Sequence, residues 1–113
     1  MPFPQRVQVT ATVEDLDLAR PHRNELHSCT KCLIAQAMMR ALSTDAVQVG
    51  YQTANVFGPR GARRFGFDLF TDGVGYTWND PIVSHLTHLF DAGDDDAIVR
   101  RLPYTFMIEK TEP

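Results

Sequence analysis

Apolar and polar residues alternate with the period of two that a half-buried strand imposes at four places along the chain. Residues 6–13 interleave Val7, Val9, Ala11 and Val13 with Gln8, Thr10 and Thr12 and predict the first strand. Residues 46–53 set Val47, Val49 and Tyr51 against Gln48, Gly50 and Gln52; residues 63–71 put Phe65, Phe67 and Leu69 on one side; residues 102–110 alternate Tyr104, Phe106 and Ile108 with Thr105, Met107 and Glu109. Two stretches change to the helical period. From Cys29 or Thr30 to Leu42, Ile34, Ala35, Met38, Ala41 and Leu42 fall on one face and Gln36 and Arg40 on the other. Ile82, Val83, Leu86, Leu89 and Phe90 form a second stripe, with Asp80 as N-cap, Pro81 at the first helical position and Gly93 just past the end.

Between these elements, residues 14–19 predict one short helical turn before Pro21, and residues 20–28 a polar loop. Gly58-Pro59-Arg60-Gly61 predicts the loop of a hairpin joining the second and third strands, with residues 54–57 assigned to that loop; Asp72-Gly73 and Gly75 predict a turn, and Asp94-Asp95-Asp96 an exposed linker. The resulting order is β-α-β-β-α-β in a single α+β domain spanning residues 1–113. That order is the ferredoxin-like one, an antiparallel sheet with two helices on one face.

A chain of 113 residues with 43% apolar and 22% charged residues can bury one core without disulfide or metal staples. The longest apolar run is too short for a membrane span, and no charged-then-apolar leader precedes the first strand, so a cytoplasmic location is expected. The net charge of −3 lacks the basic excess of a backbone-driven nucleic-acid binder. Nine Arg against two Lys and ten Asp against four Glu suggest a high-GC coding bias.

Three constellations carry candidate chemistry. Cys29-x-x-Cys32 lies at a helix start, where unpaired N–H groups and the helix dipole favour a thiolate. A thiol oxidoreductase would use Cys29 to attack and Cys32 to resolve, although a long loop replaces the strand that leads into thioredoxin motifs. A zinc-stabilised domain would add His22 and His27 to the two cysteines, or the more distant His85 and His88, which the helical wheel turns toward water. Arg63, Arg64, Phe65 and Phe67 open a segment similar to the RNP1 strand of RNA-recognition motifs, giving a nucleic-acid-binding alternative. Stacking Phe65 and Phe67 on bases would drive Arg64 and Asp68 into the core, so a core role suits these phenylalanines better. Phe57, Tyr76 and Trp78 lie in or beside loops, where exposed aromatics would form a protein-binding patch.

Four further motifs join the picture: Val9-Thr10 followed by Glu14-Asp15-Leu16, the run Cys29 to Ala37, Phe90-Asp91-Ala92-Gly93, and Pro103-Tyr104-Thr105-Phe106. Together they resemble a group of small uncharacterised proteins of phages infecting high-GC, actinobacterial-type hosts, which share a C-x-x-C-P-I-A-x-A helix start and an FDAG helix end. Leu33 departs from the proline of that pattern. The resemblance implies a small phage protein that binds a host or phage protein, with a host-takeover or anti-defence role. The expected function is therefore non-enzymatic protein binding without a cofactor, zinc being the alternative.

Overall fold

The computed structural model describes residues 3–24, 30–44, 46–50, 52–57 and 74–111. The first strand, β1 (Arg6–Ala11), stops earlier than its alternation predicts because Thr12 caps a helix. In α1 (Val13–Ala19), the Thr12 hydroxyl accepts from the Asp15 N–H, and the Asp15 carboxylate accepts from the Thr12 N–H at 2.9 Å. This reciprocal capping box satisfies two amides that a helix start leaves orphaned. Asp15 is only 2% exposed. Its carboxylate also receives the Thr12 hydroxyl and the Arg40 guanidinium, and Arg40 donates in turn to the Thr10 carbonyl at 2.7 Å. One carboxylate thereby joins the end of β1, the start of α1 and the last turn of α2 (Leu33–Leu42).

A 3-10 turn (Arg20–His22) follows α1. Just beyond it, Arg23 lies 4.5 Å over the Phe90 ring and pairs through two nitrogens with Asp95, which Arg20 also reaches at 3.3 Å. Helix α2 begins at Leu33 with Cys32 as its extended N-cap, so Cys32 precedes the helix instead of lying inside it. Ser43, in the left-handed conformation, closes it.

The second predicted strand divides into two. β2 (Ala46–Val49) pairs antiparallel with β3 (Thr53–Phe57). The Gly50 N–H donates to the Thr53 carbonyl at 2.7 Å, and Gln52 takes φ +57°. Residues 54–57, assigned to a loop from sequence, carry the period-two signature after all: Ala54 and Val56 are buried, Thr53 and Asn55 exposed. The predicted strand 63–71 lies outside the described residues.

β4 (Val74–Thr77) forms where Gly75 predicted a turn. A Cβ on Gly75 would stand 2.7 Å from Thr111 Oγ1, so glycine permits this close approach rather than breaking the strand. Helix α3 (Pro81–Ala92) has the predicted punctuation, with Asp80 capping Ile82 N and Gly93 at φ +79°. The acidic linker instead holds a short helix, α4 (Asp95–Val99), capped by the Asp94 carboxylate on Ala97 N. β5 (Tyr104–Lys110) closes the fold.

The five strands form one antiparallel sheet in the order β1-β5-β4-β3-β2. The α+β class agrees with the sequence, but the strand order is not the ferredoxin-like one. There the first strand lies inside the sheet, whereas here β5 lies between β1 and β4. Among the described strands β5 is the longest, and it pairs with all six residues of β1. The four α-helices among the described residues feed one apolar core with the inward side chains of the sheet, including Val9, Val56, Tyr76, Phe106 and Ile108. Among the described residues, no helix is long and apolar enough to cross a membrane.

Because Asp15 is buried with several charge-assisted bonds, Asp15→Ala is expected to lower unfolding stability in urea by about 2–4 kcal/mol. Arg40→Ala strands the buried Asp15 carboxylate without its cation, so it is expected to cost a comparable amount, about 2–4 kcal/mol, although the Arg40 head is itself half-exposed. A loss under about 0.5 kcal/mol for either variant, the size of an ordinary surface substitution, would contradict this hub.

Candidate functional site

The outward side of the sheet carries a polar register: Arg6, Gln8, Thr105 and Glu109 are exposed on β1 and β5, and Thr53 and Asn55 on β3. Thr10 and Thr105 face each other across β1 and β5 with their hydroxyls 2.8 Å apart. Arg6 pairs with Glu109 at 3.1 Å. Met107 interrupts this register with an apolar side chain that is 44% exposed. It borders a groove of about 220 Å³ shared with Thr77, Trp78, Asn79 and Glu109.

Trp78 forms the floor of the site and is 4% exposed. Two hydrogen bonds to one carbonyl place it: the Trp78 N–H and the Thr77 hydroxyl both donate to Gln52, at 3.2 and 3.0 Å. The left-handed Gln52 presents this oxygen from the β2–β3 turn. The Trp78 ring meets Phe106 edge-on with centroids 6.2 Å apart, and Phe106 stacks on Tyr104 at 6.4 Å. The Tyr104 hydroxyl donates to Asp80 at 2.6 Å, while the other Asp80 oxygen caps α3. The aromatic row therefore runs from the sheet groove to the start of the helix.

Trp78 also walls a second, smaller cleft of about 40 Å³, completed by Gly50, Gln52, Ser84 and Thr87. Trp78 Nε1 and Ser84 Oγ are both buried without a hydrogen-bond partner. Together the two clefts offer apolar contact, neutral hydrogen-bonding groups and a single carboxylate. Such a set suits recognition.

The aromatic patch expected from sequence is altered by burial. Tyr76 is fully buried and its hydroxyl donates to the Pro4 carbonyl, so its ring offers no outer surface. Trp78 contributes as a wall rather than a protruding side chain, and Phe57 ends β3. Of the zinc candidates, His22 is half-buried in the 3-10 turn and Cys32 is buried at the start of α2, whereas His27 and Cys29 lie outside the described residues. Among the described residues, no group of three or more His, Cys, Asp or Glu could hold a metal ion. His85 and His88 are exposed on α3, as the helical wheel predicts. Arg63, Arg64, Phe65 and Phe67 lie outside the described residues. Sequence reasoning missed Met107, Ser84 and Thr87; the visible signal was a methionine in the polar register of β5. No protein-family model matches the chain, and no curated protein or solved structure matches it.

The tyrosines give a check on this geometry. The Asp80 hydrogen bond, then burial and the Asp80 charge, raise the Tyr104 pKa above 10.0; burial raises that of Tyr76. The fold thus favours the neutral phenols. Their contribution to stability is full below pH 10.0 and is lost as the pH rises through the higher folded values. Asp80→Asn keeps an oxygen to cap α3 but removes the charge, so absorbance titration is expected to show Tyr104 ionising nearer the ordinary pH. An unchanged titration would contradict the Tyr104–Asp80 contact.

Proposed function

We propose that this chain is a non-enzymatic binding module that docks a protein on the outward face of its sheet. The supporting observation is Met107, an exposed apolar side chain set among hydroxyls and a paired Arg6–Glu109 at the mouth of the Trp78 groove. A central apolar contact within a polar rim is the anatomy of a protein interface. The phage-type sequence motifs favour a bacterial host factor or another phage protein as the partner. The module would then act in the host cytoplasm, in host takeover or in countering a defence system.

Affinity capture from extract of a high-GC bacterial host tests the proposal. Met107→Asp is expected to reduce recovery of the bound protein about tenfold or more, since it places a charge at the centre of the contact. Leu18→Asp, on α1 at a residue 60% exposed, is expected to leave recovery unchanged. Equal recovery with both variants, or recovery of nucleic acid alone, would overturn the proposal.

A further inference from the structure

We propose that β1 is the interface of a two-fold dimer, in which the sheets of two copies of this chain join edge to edge by antiparallel pairing centred on Gln8. The surface is the rim of the sheet rather than its outward face, and it does not depend on a partner docking at Met107. β1 ends the strand order, with β5 on one side of it. The Lys110 N–H donates to the Gln5 carbonyl at 2.8 Å, which fixes the phase of the ladder. Val7, Val9 and Ala11 therefore exchange bonds with β5, while Arg6, Gln8 and Thr10 turn their N–H and C=O groups away from it. The 2.8 Å contact of the Thr10 and Thr105 hydroxyls agrees, since side chains stand closest across pairs that share no ladder bond.

Arg40 already donates to one of these outward groups, the Thr10 carbonyl. The others, the N–H and C=O of Arg6 and Gln8 and the N–H of Thr10, meet no protein partner among the described residues. Proteins blunt such an edge with a proline, a bulge or an inward-pointing charge. β1 has none of these from Arg6 to Ala11: its pairing with β5 is unbroken, and its inward residues are Val7, Val9 and Ala11. Its one charge, Arg6, is paired with Glu109 on β5.

Charge and hydrogen bonding favour one register. With Gln8 opposite the second copy's Gln8, the two exchange both backbone bonds, and each Arg6 lies opposite the other copy's Thr10. The Thr10 N–H then reaches the Arg6 carbonyl, and the Arg6 N–H shares the Thr10 carbonyl with Arg40, a carbonyl having two lone pairs. Val7, half-buried at the edge, gains the second copy's Val9 opposite it, a β-branched pair on the core side. Sliding the strands one way sets the two Arg6 guanidiniums opposite or diagonal to each other, where like charges repel. Sliding them the other way puts Thr12 in the ladder, and its N–H and C=O are already taken by Asp15 and Leu16. The edge thus matches itself, as a two-fold interface requires.

Sedimentation equilibrium of the full chain is expected to show monomer passing to dimer at roughly 0.1 mM, the weak association of an interface below about 1,200 Å². Gln8→Lys sets two like charges face to face at the two-fold axis and is expected to weaken association about tenfold or more. Gln8 is exposed, so this variant is expected to keep the parent's Tm in dilute solution. Asn55→Lys makes the same charge change at an exposed residue of β3 and is expected to leave association unchanged. In a mixture of isotope-labelled and unlabelled chains, a nuclear Overhauser contact is expected between the Val7 Hα of one copy and the Val9 Hα of the other, a pair sharing no ladder bond.

A chain still monomeric about tenfold above that concentration overturns the dimer. Equal weakening by Gln8→Lys and Asn55→Lys overturns it too, as does a dimer without the Val7–Val9 contact. A monomer that loses capture of a host protein on Gln8→Lys would give the edge to a strand of that partner and overturn the self-pairing.

Discussion

The Asp15 carboxylate holds the end of the first strand to the helical layer. A carboxylate this buried is tolerable only when its lone pairs are filled; here Thr12 and Arg40 fill them. Because Arg40 also takes the Thr10 carbonyl, the outer edge of β1 is anchored to α2 where that strand ends. β1 then pairs residue for residue with β5, from Arg6 opposite Glu109 to Ala11 opposite Tyr104. Successive side chains of a strand point to opposite faces, so this register sends Phe106 inward to Trp78 and Met107 outward to solvent.

A second tie works at the opposite end of the helical layer. Arg23 covers the face of Phe90 and engages Asp95 with two nitrogens, joining the 3-10 turn to α3 and α4. Guanidinium stacking suits an arginine, whose planar head is weakly hydrated and can bridge an aromatic ring and a carboxylate together. With the helices fixed on the inward side, the burden of solubility on the other side falls to hydroxyls, amides and the Arg6–Glu109 pair. Against that background an exposed methionine is the exception that gives the face a centre.

Elements with strong local punctuation were legible in the sequence. α3 declares itself through Asp80, Pro81 and Gly93, and β5 through an alternation over seven residues that only Met107 breaks. The hairpin was misjudged because Gly50 and Gln52 look like strand residues until their backbone conformation is known, and Thr53 to Phe57 are too few to dominate a window. Gly75 read as a turn because its purpose, the close approach of Thr111, lies 36 residues away. The same non-locality hid the site. Trp78, Ser84 and Gln52 become neighbours only when the β2–β3 turn meets the start of α3, and no spacing rule connects them. Burial of Tyr76 likewise depends on the chain before β1, since its hydroxyl is satisfied by Pro4.

β5 divides its side chains between a buried aromatic row and an exposed face, with Met107 accessible and Trp78 buried. Nuclear magnetic resonance with a soluble paramagnetic relaxation agent measures this directly, using methyl-labelled methionine and the indole N–H of Trp78. Strong broadening is expected of the Met107 methyl, and little of Trp78 or of the buried Met38. A Met107 methyl as protected as that of Met38, or a Trp78 indole as accessible as Met107, would contradict it.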